Sequence, residues 1–487
     1  MRLAELLETF TPLNITGPTE NLEVKGLAYH SRRVGPGDLF FCLKGSRHDG
    51  HDFAATAVKQ GAVALVAERP LAASVPVIMV EDARWALSAA SARFFGYPAR
   101  SLQLIGVTGT DGKTTTTYYI NKVFSAAGKS SAILGTTGLR FQGTWKRLEL
   151  TTPQSLDIQR SLAHLRDHPA GIRYVAMEVS SHALIQKRVA HCEFLSAVFT
   201  NLSREHLDYH GSMESYLEAK SMLFQLIKRD DKARAILNAD DNYYPQLKRK
   251  ISVPVISYGI DDPRATVRAV DLEELDNGCF RFSLSGWGGR VAAALKLPGL
   301  FNVYNALAAA AVAWQYGLPG EAVSEGLSSL AAVPGRLEEI EAEGGFNVVI
   351  DFAHTPRSLE QVLRLLRRRP LRRLIVVFGC AGERDRGKRP LMGRIAERYG
   401  DLVILTADNP AGERVEDIIN QIKAGMRTEP VVIPDRAEAV RFALSRAGPG
   451  DLVLLAGKGS EEYQLVGTEA LPYRERQVVE EYLKQNR

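Results

Sequence analysis

Residues 108–117 read TGTDGKTTTT, between the apolar run LQLIGV at 102–107 and YYINKVFSAAG at 118–128. Strand, glycine loop and helix in that order constrain this chain more than any other feature. The arrangement aims backbone N–H groups and a helix N-terminus at an anion, with a lysine as point charge. Gly109 and Gly112 let the backbone approach phosphates without an intervening side chain. Lys113 is spaced to reach β- and γ-phosphates, and Thr114 to offer a hydroxyl to Mg²⁺. The generic spacing is not met, because Val107 stands where its first glycine would be.

Around the loop, apolar segments alternate with helical ones. LQLIGV, SAILGTT, YVAMEVSS, SAVFTNLS, RAILNADD and VPVISYG read as strands, so 101–335 is expected to form a parallel sheet covered on both faces. Within it, 264–297 reads as a β-rich insert and LPGLFNVYNALAAAAVAWQYG as an alanine-rich, close-packing helix. Residues 1–100 mix short strands and helices. From 336 to 487 the alternation restarts as a second α/β unit with its own core. Its strand ends carry Asp351, His354, Cys380 to Arg384, Asp408, Asn409 and Gly457 to Glu461, where open α/β sheets bind ligands. The expected domains are therefore 1–100, 101–335 and 336–487.

Charge sets limits on partners. Sixty-one Lys+Arg against 56 Asp+Glu leave a net +5 over 487 residues, which implies no nucleic-acid partner. The basic run RLLRRRPLRR at 364–373 reads as the solvated end of a helix ahead of LIVVFG. Four scattered cysteines without a CxxC pair suggest neither zinc nor disulfides and fit a reducing cytoplasm. No segment has the signature of a signal peptide or of a membrane span.

The strand YVAMEV ends in Glu178, followed by Ser180, Ser181 and His182, and SAVFT leads to Asn201 and SREHLDYHG. A carboxylate and imidazoles at strand ends beside the phosphate loop suggest an Mg²⁺–phosphate site. Read singly, Glu178 also fits a helix-cap acid and His206 a structural histidine.

The ordered strings TGTDGKTTT, TTPQSLDIQ, EVSSHALIQKRV, FTNLSREHLDYHGSMESYLEAKSMLF, PGLFNVYNALAA, PGRLE, DFAHTPRSLE, VFGCAGERDRGKRPLMG, DNPAGE and GKGSEEYQ resemble the Mur ligases, as does AYHSRRVGPGDLFFCLKGSRHDGHDF near the N-terminus. The likeness covers almost the whole chain and is greatest to the branch that adds the third residue to UDP-N-acetylmuramoyl-L-alanyl-D-glutamate. It implies three α/β domains: a central P-loop ATPase domain with a parallel sheet, an N-terminal UDP-sugar domain and a C-terminal Rossmann-like domain. It implies that ATP phosphorylates the D-glutamate γ-carboxylate and that an amino acid's amine attacks the acyl phosphate, in peptidoglycan precursor synthesis. The expected partners are the UDP-sugar dipeptide and a free amino acid, and a monomer is expected.

Carried over by position, Gly109, Thr110, Asp111, Gly112, Lys113 and Thr114 hold the phosphates, and Asn302 and Asn305 lie on the adenine side. Arg336, Asp351 and His354 belong to the part that closes on ATP. Thr114, Glu178, His206 and Lys220 are the implied Mg²⁺ set, Lys220 as a carbamate, and Lys113, Glu178, His206 and Lys220 are the catalytic residues. A solvated helix lysine is the alternative for Lys220. Ser31 matches the uridine side, and Thr151, Thr152, Ser180, Gln186 and Arg188 match contacts to the muramoyl dipeptide. Arg384, Asp408, Asn409, Ala411, Gly457 and Glu461 fall at the amino-acid positions.

The chain departs from the family where the amino acid binds. Members using meso-diaminopimelate carry arginine directly after Asp-Asn-Pro, and here Ala411 follows Asp408-Asn409-Pro410. Alanine cannot pair with a distal carboxylate, so lysine or another amino acid with a cationic tail is the leading expectation, with meso-diaminopimelate or a paralogous ligase of another pathway as alternatives. Arg414, three residues on, is a possible substitute cation. Ser460, Phe352, Arg357, His30 and Asp111 also differ from the common residues. A folylpolyglutamate-type ligase is disfavoured by the first-domain motif, and a non-catalytic nucleotide-binding regulator by Lys113, Glu178, His206 and Lys220.

Overall fold

The computed structural model describes residues 1–45 and 48–485. It is a mixed α/β structure with largely parallel sheets and two compact units, one of 1–108, 129–197 and 219–235, the other of 109–128, 198–218 and 236–487.

In the first unit, five strands pair in the order Asn14–Thr16, Val77–Met79, Ala64–Ala67, Asp38–Phe41, Gly26–Ala28, parallel except for the first. Leu39, Phe41, Val66 and Ile78 pack on Ala83, Ala86 and Leu87 of one helix, while Phe40, Leu65 and Val77 pack on Ala54 and Ala57 of another. The inner strands are buried on both faces, which is why Leu39–Phe41, Ala64–Ala67 and Val77–Met79 are continuously apolar, while the edge strand Asn14–Thr16 is exposed. The same unit holds Tyr174–Glu178, parallel to both Gln103–Thr108 and Ser131–Gly135, with a meander through Gly138–Phe141 and Thr144–Lys146.

In the second unit, the alanine-rich helix Leu300–Gln315 and the helix Gly320–Ser329 pack on Lys113–Ala126. A Cβ on Gly326 would sit 2.4 Å from Val123 Cα, so only glycine permits that approach. The insert forms the antiparallel strands Val267–Glu274, Phe280–Ser285 and Arg290–Ala294. A six-stranded sheet follows: Glu338–Glu341, Asn347–Asp351, Leu452–Ala456, Leu374–Phe378, Leu402–Leu405, Val431–Val432, parallel after the first pair. Its parallel strands bring Asp351, Gly457, Cys380 and Asp408 to one edge.

The basic run is not simply solvated. Arg364 pairs with Glu360, Arg367 with Asp401, Arg368 with Glu274, Arg369 with Glu339, and Arg372 and Arg373 with Asp451. Five carboxylates thus offset most of the charge of the six arginines. All four cysteines are free and buried, and desolvation pushes the thiols of Cys42, Cys192 and Cys380 up to about 12. Among the described residues no helix is long and apolar enough to cross a membrane.

Candidate active site

Gly112 caps the helix Lys113–Ala126 with φ +85°, and Lys113 Nζ donates to the carbonyls of Gly109 (2.9 Å) and Thr110 (2.8 Å). The loop is stitched to the segment 200–203. Thr110 N donates to Asn201 O, Asp111 N to Asn201 Oδ1, Thr200 Oγ1 and Asn201 Nδ2 to Asp111 O, and Ser203 N to Thr110 Oγ1. Both glycines are required by packing: a Cβ on Gly109 would lie 1.9 Å from Thr200 Oγ1, and one on Gly112 2.2 Å from Asn305 Oδ1. Asn305 also takes the Thr116 hydroxyl and donates to Asn302 Oδ1, while Asn302 donates to Pro298 O. The two asparagines and the loop are therefore brought together.

Arg336 reaches the same place. Its Nη2 donates to Thr114 Oγ1 at 3.1 Å, and its guanidinium stacks 4.4 Å over the Phe352 ring. Asp351, buried, accepts from Leu337 N and Ala353 N, which holds the chain beside Arg336. Desolvation raises the Asp351 carboxyl above the usual range against the opposing charge of Arg336. Burial, aided by the charge of Lys388, pushes His354 down to about 4, so it is neutral, with Nδ1 bonded to Phe352 O.

In the first unit a second cluster forms around Glu178. Its carboxylate accepts from Thr136 N and Thr136 Oγ1, and the latter also meets Thr151 Oγ1. Thr152 Oγ1 donates to Glu178 O and accepts from Ser180 N. Arg188 donates to Thr152 O and twice to Gln186 Oε1. Thr151, Thr152, Glu178, Ser180, Gln186 and Arg188 thus share one network. Thr136 was not singled out from sequence, although it follows its strand directly, as the other strand-end residues do. Ser31 is half-buried in the short helix Ser31–Arg33, outside that network. Lys220, on the helix Met213–Gln225, is 1% exposed, so the solvated alternative is ruled out. His206 adopts φ +56° and meets Tyr216 edge-on at 6.1 Å.

Lys458, fully buried, bonds Glu461 Oε2 (2.6 Å) and Asn409 Oδ1 (2.8 Å) at the edge of the second unit's six-stranded sheet. Burial raises the Glu461 carboxyl, and Lys458 opposes that shift. A Cβ on Gly457, at φ +111°, would lie 3.1 Å from Asp408 Oδ2. Beneath them, Arg436 donates to Ala407 O and Ala456 O and pairs with Glu475, both side chains 0% exposed. Buried Arg389 binds Glu413, Gln421 and Ala381 O, and its hydrogen bonds hold Glu413 down to about 2. Neither arginine was anticipated: the side-chain partners Glu413, Gln421 and Glu475 lie 24, 32 and 39 residues away, where no periodicity operates. Ala411 is buried at φ +52° and bonded to a terminal hairpin through Leu465 O and Gly467 N. Arg384 is exposed and makes no hydrogen bond or ion pair among the described residues, whereas Arg414, also exposed, pairs with Glu416 at 3.7 Å.

Among the described residues no group of three or more His, Cys, Asp or Glu is placed to hold a metal. What the second unit offers at the loop is hard oxygen chemistry, the Thr114 hydroxyl and a buried Asp111 Oδ2 without a hydrogen-bond partner among the described residues; the first unit offers the Glu178 carboxylate. Such donors suit Mg²⁺ that also keeps phosphate and water ligands.

A glycine loop of the phosphate-binding kind with Arg336 on its threonine hydroxyl, in an α/β fold, is the frame of a nucleotide-using enzyme. Comparison with known proteins agrees. The chain matches the Mur ligase family catalytic domain over 23–95, the Mur ligase middle domain over 107–313 and the Mur ligase glutamate ligase domain over 335–459. It is 45% identical over 474 residues to the UDP-N-acetylmuramoyl-L-alanyl-D-glutamate--2,6-diaminopimelate ligase of Geobacillus thermodenitrificans, covering 96% of each chain. It is 42% identical to the ligase of that name from Syntrophomonas wolfei, covering 99% of each. A solved structure of a ligase so named covers 99% of each chain at 32% identity with TM-score 0.65. The ADP complex of MurF ligase from Thermotoga maritima shares the fold at 20% identity with TM-score 0.66, covering 96% of this chain and 100% of that one.

The chain belongs to the Mur ligase family. It is an ATP-dependent ligase of peptidoglycan synthesis with the three-domain fold of that family. On the amino acid, these names favour diaminopimelate over the lysine expected from Ala411.

Proposed function

We propose that this chain adds meso-diaminopimelate to UDP-N-acetylmuramoyl-L-alanyl-D-glutamate. ATP phosphorylates the D-glutamate γ-carboxylate; the incoming amine attacks the acyl carbon, the C–N bond forms, the C–O bond to phosphate breaks and the amine loses a proton. What carries this reading is the reach of Arg336 to Thr114 within the unit that holds the phosphate loop, together with full-length relatives bearing that name.

In this reading Gly109 to Thr114 cradle the phosphates and Lys113 neutralises charge that moves during transfer. Asn302 and Asn305 frame the adenine side. Arg336, set by Phe352 and by the Asp351 bonds, lies over the loop hydroxyl and limits water access to a labile acyl phosphate. Thr151, Thr152, Ser180, Gln186 and Arg188 seat the dipeptide, Arg188 being suited to a carboxylate, and Ser31 takes the uridine side. Thr114 and His206, in the second unit, and Glu178 and carbamylated Lys220, in the first, are each suited to Mg²⁺, which would supply charge neutralisation at the phosphates. Arg384, exposed, is available to an amino-acid carboxylate, and Asp408, Asn409, Gly457 and Glu461 complete the amino-acid side.

Purified protein given ATP, the UDP-dipeptide and single amino acids tests this. Amide and ADP formation are expected with meso-diaminopimelate in preference to L-lysine. A lysine preference overturns the amino-acid assignment, and no amino-acid-stimulated ADP formation overturns the ligase reading.

A further inference from the structure

Two ion pairs of the second unit join segments about 180 residues apart. Arg204 Nε lies 3.2 Å from Asp385 Oδ2, and Lys388 Nζ lies 2.9 Å from Glu205 Oε1. The charges run plus then minus along 204–205 and minus then plus from 385 to 388, so the segments match in one register. The inner pair is dry, both side chains 3% exposed, and Asp385 is 6% exposed. Asp385 Oδ1 also takes the Gly387 N–H, turning the loop so tightly that a Cβ on Gly387 would sit 2.4 Å from Arg204 Nη2. A buried ion pair adds little net stability over apolar residues, but it fixes register because either charge alone is strongly disfavoured. Glu205 Oε2 is buried without a hydrogen-bond partner, so Lys388 is the charge that compensates this carboxylate.

Each segment leads directly to a site residue. His206 follows Glu205, its Nδ1 3.9 Å from Glu205 Oε1, and Arg384 precedes Asp385. We propose that the crossed pairs Arg204–Asp385 and Glu205–Lys388 form a clasp fixing the amino-acid-side loop to the imidazole segment, and that Glu205 and Lys388 are positioning residues for amide formation. The inference rests on the ligase reading above, in which Arg384 meets the amino acid. With the clasp broken, ATP still binds and the acyl phosphate still forms, but the amine is poorly presented. Water then adds to the acyl carbon, the C–O bond to phosphate breaks, and the carboxylate, inorganic phosphate and a proton are released.

The test measures ADP and amide together in the full chain for wild type, Lys388→Met, Glu205→Gln, the exchanged pair Glu205→Lys with Lys388→Glu, and Arg204→Gln. Loss of one partner of a dry pair is expected to cut amide formation about 30-fold or more. The amino-acid KM should rise, ADP per amide should exceed one, and the ATP KM should stay within about 2-fold. The exchanged pair should recover most of the coupling. Arg204→Gln, at a half-exposed position that tolerates change, should raise the amino-acid KM by about 3-fold and covers the case in which Lys388→Met does not fold. A ligating wild type whose variants keep one ADP per amide and an unchanged amino-acid KM overturns the clasp alone, as does an equal loss in ATP KM. A wild type that ligates no amino acid overturns the ligase reading and the clasp with it.

Discussion

Gly109→Ala is expected to weaken ATP binding by about 30-fold or more. The added Cβ would fall 1.9 Å from Thr200 Oγ1 and 3.1 Å from Asn201 N and O, at a φ of +149°. Thr200 cannot simply turn aside, because it is 3% exposed and its hydroxyl donates to Asp111 O at 2.7 Å. Rotating it away forfeits a bond of about 1 kcal/mol. Forcing an alanine into a glycine-only backbone region costs about 1–3 kcal/mol. The sum, about 2–4 kcal/mol, corresponds to about 30-fold or more in affinity if it falls on the loop's binding conformation. Calorimetric titration with a non-hydrolysable ATP analogue reads it directly. Thr200→Ala alone should cost about the same 1 kcal/mol, and because that bond is already lost in Gly109→Ala, the double variant should bind no worse than Gly109→Ala. Affinity within about 3-fold of wild type, or a double variant in which the two losses simply add, would refute the packing argument.

Lys113→Ala should abolish ADP formation, and unchanged turnover would show that the loop lysine does not serve ATP. Ala411→Arg should raise use of meso-diaminopimelate relative to L-lysine; no gain would mean that position 411, buried and left-handed beneath the hairpin, does not face the amino acid's tail. His354, held near 4 against an ordinary 6.5, is neutral in the native state. Unfolded chain therefore takes up a proton that native protein refuses. The stability this group contributes is complete above 6.5 and is lost as pH falls toward 4. Histidine NMR should find His354 unprotonated at pH 5, and a midpoint above 6 would contradict its burial. Arg436→Met should destabilise the protein by about 3–5 kcal/mol, because it strands the buried Glu475 carboxylate; denaturant unfolding measures this.

Much of the fold lay in local pattern. Continuous apolar strands such as LIVVF at 374–378 are buried on both faces, and the glycine loop, the strand ends and the alanine-rich helix could all be placed from spacing alone. Contacts set by long-range closure could not. Thr136 meets Glu178 across 42 residues, Arg389 meets Glu413 across 24, and Lys388 meets Glu205 across 183. The arginines between 364 and 373 read as a solvated run because, apart from Glu360 on their own helix, their carboxylates come from four other segments. Ala411 shows how far a single residue can mislead. Its lack of charge suggested lysine, while relatives similar over the full length carry the diaminopimelate name. The position is a buried turn tied to the terminal hairpin, a setting invisible in the string DNPA.

The Arg436–Glu475 pair has a practical consequence for recombining such ligases. The matched glutamate ligase domain ends at 459, yet the guanidinium that ties Ala407 to Ala456 takes its counter-charge from the helix Glu475–Gln485. A chimera cut at the profile boundary would pair one protein's sheet edge with another's closing helix, or with none. The exchangeable cassette therefore runs on through that last helix, which has to travel with the strand ends it neutralises.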